Sequence, residues 1–358
     1  MNYLKREYLK LNNPTSKLKI KKRGTGVGQN IGFVIFGGVL TLLLLGNVIG
    51  IFPRSIITTL FSVIIFSIVA VGYCLLLGYA GLASLGTAGF IGIGIYSAYF
   101  AMERWGLTFS VGLILAVAIA IAVGVGVGFV SLRIEGIYLA IITLGVSEIL
   151  VYVFKGISST LSLTREHRKL FFIDLTQTQM QRIIFFIGIV ALIGLTCLTK
   201  NLMNSPTGRA MTAMKNSTAA AQAFGVSLLK YRLLAFVISV MYAAISGVIY
   251  FVYIGSFMTT ENLLTLSTSL NILGAVIIGG TKSLWGAFFG VFLIYGINDL
   301  LKSYVPFFAK NGDIMTIVSG VLIVLIVMFY AGGLAQLVGQ IRAKARLKKA
   351  ERRLANGG

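Results

Sequence analysis

Ten apolar stretches, at 32–52, 55–77, 88–102, 109–132, 134–154, 183–199, 231–254, 266–279, 284–301 and 314–335, fill most of this sequence. A helix of about 20 apolar residues crosses the hydrocarbon core of a bilayer. That match constrains the chain more than any other feature. Hydrophobic residues make up 57% of its 358 positions and charged residues 11%, against a usual charged share of about 25%. A soluble protein of this size lacks the polar surface to cover so much apolar material. The expectation is an all-α, polytopic transmembrane bundle of about ten spans over residues 32–336, with basic tails at 1–31 and 337–358. The third and eighth stretches are short and glycine-rich, which predicts broken or re-entrant helices.

Net charge is +21. Ten spans put both ends of the chain on one side. That side then carries both basic tails together with Arg133, Lys200, Arg209, Lys215, Lys230, Arg232 and Lys282, which is most of the 31 basic residues. The positive-inside rule makes it cytoplasmic. The tails are thereby explained as topology signals and contacts for anionic membrane lipid, and nucleic acid is not an expected partner. Neither catalysis nor a metal site is expected. The lone histidine, His167, falls in a basic loop, Cys74 and Cys197 lie in apolar stretches, and the ten acids are scattered.

In the fourth stretch, small residues alternate with large ones. On a helix the alternation becomes two rows at every fourth position: Ala116, Ala120, Gly124, Gly128, and, nearly opposite, Ala118, Ala122, Gly126. Small rows let helices approach closely, which predicts a central helix packed on two sides. Two glycine-rich interruptions follow one per half of the chain, at 78–92, with Gly81, Ser84, Gly86 and Thr87, and at 279–290, with Gly279 and Gly280. Paired interruptions point to a transporter built of inverted repeats with discontinuous helices. Tight turns with close packing are the plainer explanation. Among polar residues at membrane depth, Glu148 fits a pathway lining, outward snorkelling, or a pair with Lys155. Thr268 and Asn271 fit interhelical hydrogen bonding or a pore lining.

The segment 200–230 is polar enough to leave the membrane. Ser205 suits the N-cap and Pro206 the first turn of a helix. Alanines at 219, 220, 221 and 223 favour helix, and Gly225 suits its C-terminal stop. Met211, Met214, Ala221 and Phe224 form its expected apolar face. Such a helix fits docking to a soluble partner, or lying on the membrane surface.

Four stretches carry a resemblance: GYAGLASLGTAGFIG (78–92), LRIEGIYLAIITLGVSEIL (132–150), GRAMTAMKNSTAAAQAFGVSLLKYRLLAFVISVMYAAISG (208–247) and GGTKSLWGAFFG (279–290). In this order they resemble the M-type (LivM-like) permease subunits of branched-chain amino-acid ABC transporters. The third resembles the ATPase-coupling loop of ABC importers, in which two alanines precede a glycine, as Ala220 and Ala221 precede Gly225. Ala219, Asn216 and Gln222 stand where relatives often have acids, and Thr87 stands where many have histidine. The resemblance implies a multi-pass subunit of a bacterial inner membrane, without enzymatic activity or cofactor of its own. Its implied partners are a second homologous permease, two cytoplasmic ATPases that bind ATP and Mg, and an extracytoplasmic substrate-binding protein. It implies coupling through Gly208, Arg209, Lys215, Ala220, Ala221 and Gly225. It implies a translocation pathway near Gly81, Ser84, Gly86, Thr87, Glu148, Thr268, Asn271, Gly279 and Gly280. Related permeases carry urea or short amides, and an ion-coupled transporter using Glu148 is the competing reading.

Overall fold

A computed structural model describes residues 26–48, 53–131, 137–158, 160–164, 169–170, 173–174, 176–258 and 263–304. Beyond these it describes only Ile317, Gly320, Val321, Val324 and Met328, which are helical and exposed. The rest of the stretch 314–335, the tails up to residue 25 and after 336, and His167 lie outside the described residues.

The described residues of the other nine apolar stretches are helical. Helix α1 (Gly26–Val48) begins within the expected tail. Helix α2 (Arg54–Tyr73) runs on through a π-helical turn (Cys74–Ala80). It buries Phe61, Ile64, Ile65, Ile68 and Tyr73 almost completely. Then come α3 (Thr87–Tyr99), lengthened by a π-helical turn (Phe100–Arg104), α4 (Phe109–Ser131) and α5 (Ile137–Ile157). Short strands β1 (Thr160–Ser162), β2 (Lys169–Leu170) and β3 (Ile173–Asp174) lead to α6 (Gln177–Asn204). The segment that the sequence sets outside the bilayer forms α7 (Pro206–Asn216) and α8 (Thr218–Ala223). Helix α9 (Leu228–Ile254) is followed by β4 (Ser256–Met258), which pairs antiparallel with β1. Helices α10 (Leu266–Gly279), α11 (Leu284–Val291), a π-helical turn (Phe292–Gly296) and α12 (Ile297–Tyr304) follow.

Six helices among the described residues are long and apolar enough to cross a membrane. Helices α10, with 14 residues, and α3, with 13, are shorter than a full span, and most of the stretch 314–335 lies outside the described residues.

The two short helices occupy matching places. Helix α2 ends at Gly81 (φ 73°) and an irregular stretch leads to α3. Helix α9 ends at Gly255 (φ 75°) and a connection leads to α10. Glycine holds these left-handed conformations without the steric cost of a Cβ. The two units run in opposite directions, because α2 ends, and α9 begins, on the face that carries α7 and α8. Helix α9 packs on α2, α3, α4 and α6 and forms the centre of the bundle.

Helix α4 corrects an expectation. Its row Ala116, Ala120, Gly124, Gly128 is buried, but Ala118, Ala122 and Gly126 are exposed. The helix is peripheral and packs on one side, against α3 and α9. Both rows suit close packing, but only one has a neighbouring helix.

Candidate functional site

The face bearing α7 and α8 holds one candidate site. Ser205 caps α7, its Oγ accepting from the Gly208 amide at 3.4 Å, with Pro206 in the first turn. A Cβ on Gly208 would overlap the Met203 carbonyl, so the corner between α6 and α7 requires glycine. Arg209 donates from Nη1 to the Asn204 carbonyl at 3.3 Å. The single helix expected over 210–224 is instead two. Ser217 adopts extended backbone (φ −157°, ψ 113°), and its Oγ accepts from the Ala220 amide at 3.2 Å to start α8. Local capping by a serine competes with helix continuation. Gly225 (φ 78°) ends α8 as expected. Its amide donates to the Gln222 carbonyl at 2.9 Å, and the Val226 amide to Ala221 at 3.0 Å. This double bond pattern satisfies the last carbonyls of a helix.

Met211, Met214 and Ala221 are buried, but Phe224 is 89% exposed, against the expectation that it joins their face. Because α8 is a separate helix, its apolar positions do not continue the face of α7. Ala220 is exposed beside it.

Lys215 binds the loop to the bundle. Its Nζ donates to the carbonyls of Leu77 and Gly78, each at 2.9 Å. These are among the last carbonyls of the α2 rod, which no intrahelical donor reaches, and a cation suits the negative end of a helix. The stem of Lys215 packs on Gly81. Burial, and after it the neighbouring charge of Lys282, lower the pKa of Lys215 from the ordinary lysine value. Gly78 also abuts the turn between α10 and α11, and a Cβ there would overlap the Thr281 carbonyl. The two glycine-rich interruptions therefore touch. The second is a hairpin turn: Gly280 (φ 103°) leaves α10, and Ser283 Oγ caps α11 by accepting from the Gly286 amide at 3.1 Å. Gly279 and Gly286 pack backbone to backbone across the hairpin.

A second candidate site lies at the start of α3, deep in the bundle. The first amides of a helix lack internal partners. Hydroxyls of two other helices supply them. Ala88 donates to Ser269 Oγ of α10 at 3.1 Å and Gly89 to Ser147 Oγ of α5 at 2.9 Å. Leu85 donates to Thr143 Oγ1 at 3.1 Å, and Gly86 to Ser84 Oγ at 3.3 Å. The Ser84 amide donates to Tyr73 Oη at 2.9 Å, and that hydroxyl donates back to the Ser84 carbonyl. A Cβ on Gly89 would stand 2.8 Å from Ser147 Cα, and one on Gly86 2.7 Å from the Thr143 carbonyl. Ser147 is midway along the 21 residues of α5, about 15 Å from either end. Ser269 lies in the first turn of α10. The N-terminal ends of the two short helices thus meet near mid-depth.

Of the sequence-predicted pathway residues, Ser84, Gly86, Thr87 and Thr268 are buried at this junction. Thr268 accepts from Tyr295 Oη at its carbonyl, at 3.4 Å, and Asn271 is half-buried one turn on. Gly279 and Gly280 are buried in the hairpin, whereas Gly81 is exposed beside Lys215. Glu148 is exposed, turned about 100° around α5 from buried Ser147, among exposed Ile141, Ile149 and Tyr152. Sequence reasoning missed Thr143, Ser147 and Ser269. The first two lie four residues apart, so a hydroxyl stripe on one helix face was readable in the stretch 134–154.

The profile of the family described as "Branched-chain amino acid transport system / permease component" matches residues 55–327. The high-affinity branched-chain amino acid transport system permease protein LivM of Salmonella typhimurium is 27% identical over 312 residues, 80% of this chain and 72% of that protein. LivM of Escherichia coli K12 matches to the same extent. The autoinducer 2 import system permease protein LsrC of Enterobacter sp. strain 638 is 34% identical over 103 residues, 28% of this chain and 30% of its own length. No solved structure matches the chain.

Proposed function

Because this chain belongs to the family of branched-chain amino acid transport permease components, we propose that it is the permease subunit of an ATP-driven importer of branched-chain amino acids. It is a multi-pass membrane protein of the bacterial inner membrane, and the face bearing α7 and α8 is cytoplasmic, together with both termini. It works beside a second, homologous permease and an extracytoplasmic binding protein. Two cytoplasmic ATPases hold ATP and Mg and dock on α7 and α8, where exposed Phe224 offers an apolar anchor.

The observation that carries this reading is the two-carbonyl grip of Lys215 on the end of α2. Movement of α7 is passed to Gly78, and from there to the Thr281 turn that joins α10 to α11. The far end of α10 holds α3 through Ser269, and α3 holds α5 through Ser147. A push at the loop therefore reaches the junction of the two short helices, where the pathway residues Ser84, Gly86, Thr87, Thr268 and Asn271 cluster. Opposed helix N-termini present positive dipole ends there, suited to a carboxylate passing along the pathway. Glu148 faces outward at membrane depth, where a charge costs free energy unless it meets water or another chain. Its place is at the boundary with the second permease, lining the route between them.

The test uses the full transporter in proteoliposomes with the loaded binding protein. Lys215→Gln uncouples it: ATP hydrolysis continues while uptake of leucine, isoleucine and valine falls. Uptake that survives without ATP, follows an ion gradient and disappears with Glu148→Gln overturns the reading.

A further inference from the structure

Helix α1 buries Phe33, Leu40 and Leu44 and packs mainly against α6, touching its chain neighbour α2 only slightly. Between α1 and α2, with α11 as the third wall, lies a cavity of about 290 Å³. Leu40 and Leu43, Leu60 and Val63, and Phe288 and Phe292 supply its walls, and Ser67 is the one hydroxyl among the lining residues. A cavity with so few polar partners does not hold water, and it offers nothing to fix an amino-acid headgroup. Val39 and Phe289 of its lining are 49% and 62% exposed, so it adjoins an apolar surface.

The end nearest α7 has different chemistry. Trp285 stacks on Phe33 with ring centroids 4.8 Å apart. Lys200 Nζ lies 4.8 Å from the centroid of the Phe33 ring. Trp285 is 37% exposed and sits three residues after the exposed Lys282 of the hairpin turn. Tryptophan favours the headgroup boundary of a bilayer, and lysine extends its charge there while its stem stays in apolar surroundings. An apolar slot walled at one end by Trp285, with an ammonium one stacked ring beyond it at Phe33, matches the two parts of a phospholipid.

We propose that this slot binds one anionic phospholipid, with an acyl chain lodged between α1, α2 and α11 and its phosphate at Lys200. The lipid fills the space between α1 and α2, adding to the packing of α1 on α6 and on Trp285 and Phe288. This inference rests on the slot and its charge and is independent of the transport reading.

Trp105 and Trp285 are the only tryptophans in the sequence, so Trp105→Phe leaves Trp285 as a reporter at the slot. The full-length variant is placed in nanodiscs of phosphatidylcholine that contain a minor fraction of acyl-brominated phosphatidylglycerol, or the same fraction of brominated phosphatidylcholine. The expected result is quenching of Trp285 above the level set by the bulk fraction, with about fivefold preference for the anionic lipid, the worth of one lysine at a charged surface. Val63→Phe, which fills the slot, removes the excess quenching. Lys200→Gln removes the preference and, at a helix end, stays informative if the filled variant does not fold. Quenching that tracks the bulk fraction equally for both lipids overturns the proposal. So does an absence of quenching by either, which is the result if another part of this chain or a second permease covers the slot.

Discussion

Lys215 Nζ stands 2.9 Å from the Gly78 carbonyl oxygen, so a side chain of the loop helix terminates a helix of the bundle. Losing one charge-assisted hydrogen bond is worth about tenfold in an equilibrium. Lys215→Gln is expected to lower ATP-driven uptake by at least that factor, about tenfold, while the amount of assembled transporter stays constant. Uptake per assembled complex is the measurement.

The same lysine predicts a pH dependence. Burial first, and then Lys282, disfavour its charged form in the fold. Between the lowered folded pKa and the ordinary value, the unfolded chain binds more protons. The stability contribution of this residue therefore rises with pH through that window, and is lost as pH falls through the folded pKa. Coupling runs the other way, because a neutral amine donates weaker hydrogen bonds to the Leu77 and Gly78 carbonyls. Coupled uptake should fall on the alkaline side, and Lys282→Gln should move that limb to higher pH by removing the repulsion. A limb that stays in place in the variant rules out Lys215 as the group that titrates.

Two helix glycines separate packing from propensity. A Cβ on Gly78 meets the Thr281 backbone, whereas nothing lies within 4 Å of one on Gly145. Gly78→Ala is expected to cost about 1–3 kcal/mol, the range for overpacking. Gly145→Ala is expected to be neutral or to stabilise by up to about 1 kcal/mol. Thermal midpoints of the two purified variants in one detergent decide the point.

Ser147 and Ser269 each hold one amide in the first turn of α3, from different helices. Alanine at either position is expected to cost about 1 kcal/mol, the usual price of a lost cap. The two losses should nearly add, since each hydroxyl serves its own amide. Hydrogen exchange at Ala88 and Gly89, measured in the single variants, should quicken only at the amide whose partner was removed.

Phe224 is the most exposed of the large apolar side chains on the loop. Phe224→Asp should leave the fold within about 0.5 kcal/mol of the parent, as surface changes usually do. Co-purification of the ATPases with this chain should fall sharply. Retained co-purification would remove Phe224 from the docking surface.

Hydropathy alone located the helices, because in lipid a backbone has few other ways to satisfy its amides. The caps at Ser205, Pro206 and Gly225 were legible for the same local reason. What eluded the sequence is relational. Ala116 and Ala118 head rows of equal character, and only the presence of α3 and α9 on one side decides which row is buried. The break at Ser217 was written in the Asn216-Ser217-Thr218 run, but the flanking alanines masked it. The contact between the two glycine-rich interruptions joins residues some two hundred positions apart, and no local pattern announces it. The outward placement of Glu148 likewise depends on which face of α5 the hydroxyls of Thr143 and Ser147 pull inward.

The bare backbone contacts of the bundle set where it can yield. Gly94 and Gly247 bring α3 and α9 into carbonyl contact, and Gly279, Gly286 and Gly290 do the same for α10 and α11. At these crossings no side chain separates the two backbones, so each helix pair is stiffened there into a plate. Between the plates, the Ala88 amide meets the Ser269 hydroxyl, a joint of one exchangeable hydrogen bond where each plate internally has interlocked backbone.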